Sequence, residues 1–220
     1  YKRQGGVLRN SNTLFTPGLK YNVTVGAGGL YTGIGLQGTN GANSAIICQD
    51  FPGNLSLTAI GGGGGGGANV PQAGNGGSGG GGGGSGLGKG LGTAGQGYDG
   101  ADGTNQATGV GGGGGGAGGA GGGSGTPGPA LFDDITGASY GYSRGGNVSF
   151  SQPPTNYGQG GNSATATDGP YNGFQGVVII SYPSSYGSLI TTGTVSLTTV
   201  GSNNVYTFTS NGSFQFPPRS

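Results

Sequence analysis

The chain has 220 residues, of which 63 are glycine and only 6% are charged, with a net charge of +1. Folded proteins average about 7% glycine and about 25% charged residues, so this composition excludes the clustered cations that nucleic-acid phosphates or anionic membranes demand. Histidine, methionine, tryptophan and glutamate are absent; a serine or cysteine nucleophile then lacks its usual base and a carboxylate pair can come only from aspartate, so neither an enzyme nor a cofactor-binding protein is expected.

In chain order, composition marks out four parts of what reads as one continuous domain. Residues 1–60 hold the strand-like pieces LFTPG, YNVTV, SAIIC and NLSLTAI. Alternation of apolar and polar residues in Tyr21–Val25 and Asn54–Thr58 is the mark of a half-buried strand. The single cysteine, Cys48, sits in the apolar run AIICQD, which excludes an internal disulfide framework and predicts a buried, inert thiol. Residues 61–129 are more than half glycine, and residues 130–176 mix aromatic rings with glycine, serine and asparagine. Residues 177–220 return to strand patterns. The run VVIISY at 177–182 predicts a strand buried on both faces. The stretch from Val205 to Phe216 predicts a β-hairpin turning at Ser210–Ser213. Nowhere does the helical period of 3.6 appear, and no apolar run reaches the roughly 18 residues of a membrane-crossing helix.

The glycine block poses the main structural question. Glycine and serine runs in isolation behave as flexible coil. Here glycine falls at 74, 77, 80, 83 and 86, and again at 113, 116, 119, 122, 125 and 128. Three residues is one turn of a polyproline-II-type extended helix, which has no internal hydrogen bonds. If buried, such a helix must donate and accept sideways, and only glycine lets backbones approach closely enough from several sides. The expected fold is therefore mainly β plus polyglycine-II-like extended helices, a glycine-rich sandwich flanked by strands and hairpins, with essentially no α-helix. Collagen is excluded because glycine does not recur every third residue throughout and proline is only 11 of 220.

Three stretches carry a family resemblance: TPGLKYNVTVGAGG followed by the glycine runs, GFQGVVIISYPSSY, and VYTFTSNGSFQF. Together they resemble the glycine-rich domain of bacteriophage tail-fibre and tail-tip proteins, especially those of phages of marine cyanobacteria and other marine bacteria. In style the chain is also similar to the receptor-binding adhesins of T-even-like phages. That resemblance implies a non-enzymatic protein of the virion surface, attaching to a bacterial surface glycan or outer-membrane protein and held to other tail proteins or further copies of itself. Its loops between glycine runs are short before residue 130, unlike the adhesins. A purely structural virion element (fibre, neck or capsid decoration) and an extracellular filament or matrix protein remain open readings.

Receptor-contact candidates are Tyr98, Asp99 and Asp102 in GQGYDGADGTN, and Phe132, Asp133, Asp134, Tyr140 and Tyr142 in FDDITGASYGY, followed by Tyr157, Tyr171 and Phe174. Exposed rings stack on sugar faces, tyrosine offers large contact area at low entropy cost, and carboxylates accept from hydroxyls. The opposing reading makes the rings a small core that covers glycine faces, and the aspartates ordinary turn residues. Gly83 and Gly88-Lys89 match most of a phosphate loop, but Gly90 stands where the metal-binding hydroxyl belongs, so nucleotide binding is not expected.

Overall fold

Apolar alternation sets the first strand of the computed structural model, which describes residues 5–33, 35–48, 55–70, 72–84, 86, 88–104, 110–147, 155–161 and 171–218. In β1 (Lys20–Thr24), Tyr21 and Val23 are buried while Lys20, Asn22 and Thr24 are exposed, because successive side chains point to opposite faces of a strand. The remaining strands are β2 (Ser44–Cys48), β3 (Leu55–Ala59), β4 (Leu131–Asp133), β5 (Tyr140–Tyr142), β6 (Val178–Pro183), β7 (Ile190–Thr192), β8 (Val195–Val200), β9 (Asn203–Phe208) and β10 (Gly212–Gln215), with one 3-10 turn at Ser184–Tyr186. No α-helix occurs among the described residues. All strand pairs are antiparallel, in three open sheets ordered β3-β2-β1-β10-β7, β4-β5 and β6-β9-β8.

The first sheet joins the two ends of the chain, with Tyr21 opposite Phe214 and Val23 opposite Gly212. One apolar cluster joins it to the β6-β9-β8 sheet, combining Tyr21, Val23, Cys48, Phe214 and Phe216 with Ile180, Tyr182, Leu189, Tyr206 and Phe208. Tyr21 stacks on Phe214 at 5.0 Å between ring centroids, and Phe15, in the coil of LFTPG rather than in a strand, meets both rings edge-on at 4.9 and 5.2 Å. Each fully buried ring contributes about 1.5–3 kcal/mol by removal from water. Cys48 is a free thiol buried in this cluster.

Two strand expectations are corrected. The VVIISY run is not buried on both faces: β6 is an edge strand with Ile180 and Tyr182 buried and Ser181 and Pro183 exposed. Of the run's remaining apolar residues, Val178 packs against the core cluster, while Val177 and Ile179 line a cavity instead of meeting a second layer. Nor does the Ser210–Ser213 turn close a hairpin. β9 pairs with β6 and β8, whereas β10 pairs with β1 and β7, so the turn passes the chain from one sheet to the other. Asn211 Oδ1 there accepts from Val25 N–H at 2.8 Å, and Ser210 Oγ from Thr194 N–H at 2.7 Å. The local hairpin is β8–β9, turning at Gly201, whose φ of 58° favours glycine.

Between β3 and β4 no strand occurs among the described residues, yet backbone hydrogen bonds are plentiful. They recur every third residue. Ala73, Gly76, Gly79 and Gly82 donate to the carbonyls of Gly88, Leu91, Tyr98 and Ala101 at 2.6–3.1 Å. Tyr98, Ala101 and Thr104 donate to Gly116, Gly113 and Val110, while the interposed Gly100 donates to Gly90. A relay crosses the block from Gly100 to Gly90, Gly80, Gly74 and Gly64, with bonds of 2.7–3.0 Å, and ends where Gly64 N–H meets Asn40 Oδ1 at 2.8 Å. Side chains have no room there: a Cβ on Gly80 would strike the Gly64 carbonyl, and one on Gly100 the Gly80 carbonyl.

Candidate functional site

Strands β4 and β5 form a short hairpin that holds five of the sequence candidates. Its loop is fixed locally: Asp133 Oδ1 accepts from Ile135 N–H at 2.8 Å, and Gly137, at φ 92°, donates to the Asp134 carbonyl at 2.8 Å. An N-terminal arm reaches this hairpin from across the molecule. Gly5, Gly6 and Val7 donate to the carbonyls of Gly158, Ile60 and Gln96 at 2.8–2.9 Å. Arg9 then binds both the Asp133 carboxylate and the Phe132 carbonyl, each at 2.6 Å. With the Arg9 side chain 51% exposed, this pair acts more as a geometric tie than as a large source of stability.

Arm, hairpin and glycine segments together line a half-open cavity of about 380 Å³. Tyr142, Tyr157 and Phe174 give it an aromatic wall, in a ring series where Tyr140 meets Tyr142 at 4.9 Å and Tyr157 at 6.0 Å, and Tyr157 meets Phe174 at 5.7 Å. Burial pushes the Tyr142 hydroxyl above its usual pKa of 10.0, partly offset by the Thr136 side chain. Two buried polar residues also line the space. Ser143 is 3% exposed and holds φ at 52°, a left-handed conformation that costs a non-glycine residue about 1–2 kcal/mol. Its backbone is pinned on both sides, N–H to the Tyr157 carbonyl and C=O from Ala117 N–H, both at 2.9 Å. Gln159 is 7% exposed, and its Oε1 accepts from Thr155 and Asn156 N–H, both at 3.2 Å. That network assigns the carboxamide orientation and leaves Nε2 as a donor.

A family model of a glycine-rich domain matches residues 3–183. The chain belongs to this family. Neither a curated protein nor a solved structure matches it. The glycine-rich domain so matched runs from the N-terminal arm through the glycine block, the hairpin and the cavity to the end of β6, and β7 to β10 lie beyond it.

Within this glycine-rich domain the sequence candidates separate into two groups. Phe132, Asp133, Asp134, Tyr140 and Tyr142 share the hairpin, with Tyr157 and Phe174 packed beside them. Phe132 is 65% exposed, Asp134 is exposed, and Tyr140 Oη donates to the Thr155 carbonyl at 3.3 Å. Tyr171 is half-buried. Tyr98, Asp99 and Asp102 belong to the glycine block, and among the described residues no hydrogen bond, ion pair or ring contact joins them to the hairpin. Tyr98 is 53% exposed. Both aspartates engage their own chain. Asp99 accepts from Gly92 N–H at 2.9 Å and pairs with Lys89 at 3.0 Å; Asp102 accepts from Gly88 and Lys89 N–H at 2.8 and 2.9 Å. These bonds hold both carboxyls below their usual pKa. The amides of the phosphate-loop-like Gly88-Lys89 thus face an internal carboxylate.

Arg9, Ser143 and Gln159 were not legible as site residues. Arg9 is one of seven scattered cations, and nothing in the string SYGYSRGG reveals that Ser143 adopts a left-handed φ.

Proposed function

We propose that this glycine-rich domain is a non-catalytic attachment module of a bacteriophage tail fibre or tail tip, in which a polyglycine-II-like lattice displays ring-bearing loops to a bacterial surface. The observation that carries the reading is the three-residue spacing of donors in the glycine block, as in Tyr98, Ala101 and Thr104 against Gly116, Gly113 and Val110. A helix of three residues per turn directs every third amide to the same neighbour, and the interposed Gly100 turns to a different one. Such a block is held by backbone bonds, each contributing about 0.5–1.5 kcal/mol net, and leaves the side chains of its turns and flanking hairpin free for contact. Tyr98 and Phe132 are the most exposed rings among the candidates. The receptor in this reading is a surface glycan or an outer-membrane protein, and the domain sits on the virion surface among other tail proteins or copies of itself.

Binding of the fluorescently labelled chain to a panel of intact bacteria tests this. Host-restricted binding that Tyr98→Ala or Phe132→Ala abolishes is the expected result; a folded chain that binds no cell refutes attachment. One observation favours a structural role as the second reading. From Gly169 to Pro218 the sequence carries no charged residue, so the edge strands β6, β7 and β8 lack the charges that commonly block edge-to-edge pairing. Self-association into fibres without cell binding would select that reading.

A further inference from the structure

We propose that the cavity between the N-terminal arm and the β4–β5 hairpin is a binding site for a neutral saccharide. The inference rests on the attachment reading for the source of the sugar, a cell-surface glycan, and on the cavity's own chemistry for everything else. At about 380 Å³ the space is of the size that holds small ligands. Its wall carries the rings of Tyr142, Tyr157 and Phe174, and an aromatic face packs against the C–H face of a pyranose while leaving the hydroxyls at the ring edge to seek partners.

Those partners are present. Ser143 and Gln159 are both more than nine-tenths buried and line the cavity. Neither the Ser143 hydroxyl nor Gln159 Nε2 has a hydrogen-bond partner among the described residues. Both atoms open onto the cavity, because Thr13 Oγ1 is the only buried side-chain polar atom without a partner among the described residues, and both are therefore available to a ligand. One is a hydroxyl that both donates and accepts, the other a carboxamide donor, which suits the vicinal hydroxyls of a sugar. Strain points the same way. Ser143 is held at φ 52° by hydrogen bonds on both sides, and strained residues cluster where a site demands them. Among the described residues the only charges lining the cavity, Arg9 and Asp133, are paired with each other at 2.6 Å, so a charged sugar would have to displace this ion pair.

Two substitutions test the site without hollowing the fold. A Cβ on Gly5 meets only the Gly158 Cα and Ser143 Oγ, both at 3.8 Å, so Gly5→Leu places its side chain over the Ser143 hydroxyl. Ser143→Gly removes the hydroxyl and supplies the residue that best adopts a left-handed φ. The full chain and both variants are titrated with glucose, galactose, mannose, rhamnose, N-acetylglucosamine and their disaccharides, by saturation-transfer NMR and calorimetry, with glucuronic acid and nucleosides alongside. Expected is binding of at least one neutral sugar, lost in Gly5→Leu and weakened about 3- to 10-fold in Ser143→Gly, with the melting temperature of Ser143→Gly at or above that of the parent. Absence of neutral-sugar binding, preference for glucuronic acid or nucleosides, or equal binding by folded Gly5→Leu would overturn the proposal. Cell binding of the same proteins separates the two readings. Parent and Gly5→Leu binding cells alike, with no sugar bound, sinks the cavity and keeps attachment; sugar bound in the cavity by a chain that binds no cell keeps the cavity and sinks attachment.

Discussion

Replacing Gly64 by alanine should unfold the glycine block, and the size of the effect follows from the bonds around it. Gly64 is buried, and a Cβ there would overlap the Gly38 carbonyl oxygen. The segment 35–41 must then retreat. Its retreat parts Gly38 N–H from the Gly65 carbonyl (2.9 Å), Gly41 N–H from the Gly62 carbonyl (2.9 Å) and Asn40 Oδ1 from Gly64 N–H (2.8 Å). A buried group stripped of its partner costs about 1–3 kcal/mol, so three together cost about 3–9 kcal/mol, comparable with the about 5–15 kcal/mol that stabilises a whole domain. At about 2–4 °C per kcal/mol for a chain of this length, the melting temperature falls by at least about 6 °C. Gly123→Ala is the matched control, because nothing lies within 4 Å of its Cβ. Neither glycine has a left-handed φ, so backbone conformation tolerates alanine at both, and the control gains about 0.4–1 kcal/mol from the unfolded state. Thermal melts followed by far-ultraviolet circular dichroism, with amide exchange read over residues 61–67, give the comparison. If Gly64→Ala melts with Gly123→Ala, the close packing of these backbones is refuted.

Two pH dependences follow from the titratable groups. Backbone and Lys89 hydrogen bonds lower the native pKa of Asp99 and Asp102 from 3.8, and a carboxyl so lowered contributes stability above its unfolded pKa that is lost as pH falls through the native one. The melting temperature should therefore drop as pH falls below 3.8, less steeply in Asp102→Asn than in the parent; identical acid slopes would remove Asp102 from the account. At the alkaline end, burial and then the neighbouring Tyr206 hydroxyl push Tyr182 up from 10.0 to about 12. Stability from this ring is complete below pH 10 and is lost as pH rises toward 12, so ultraviolet difference spectra should show tyrosinate formation coupled to unfolding there, and a late phase absent from Tyr182→Phe; a phase that persists in the variant assigns it to another ring.

Strand existence was legible because Tyr21 and Val23, or Tyr206 and Phe208, announce a buried face by their spacing. Strand partners were not. The short polar turn at Ser210–Ser213 reads locally as a hairpin, but the choice between β9 and β1 as partner of β10 is decided by which pairing buries Phe214 beside Tyr21. The VVIISY run misled for a related reason. Apolar residues on the second face of a strand look the same in sequence whether they meet another layer or a cavity, and Ile179 lines the cavity. Of the candidate site, the hairpin rings and Asp133 were visible as an aromatic, acidic stretch. Its closure by Arg9 was not, because the tie spans 123 residues of chain.

The charge economy of the molecule follows from how the glycine block holds together. A fold built on side-chain burial needs polar and charged residues to mark its outer face, and binary patterning supplies them. Here the residues most densely bonded, such as Gly74, Gly80 and Gly90, have no side chains, and each meets neighbours on several sides through its own amide, carbonyl and Cα. No face needs marking, so charge can be withdrawn without losing register. The few aspartates in the block are then placed where chain ends and turns leave amides over, as Asp102 does for Gly88 and Lys89, and Asp99 for Gly92. Their carboxylates satisfy these amides just as aspartate at a helix start accepts its leading amides. That role ties Asp99 and Asp102 into the glycine block, and under the proposed attachment reading the exposed rings of Tyr98 and Phe132 and the cavity behind Arg9 offer further surface to an outside partner.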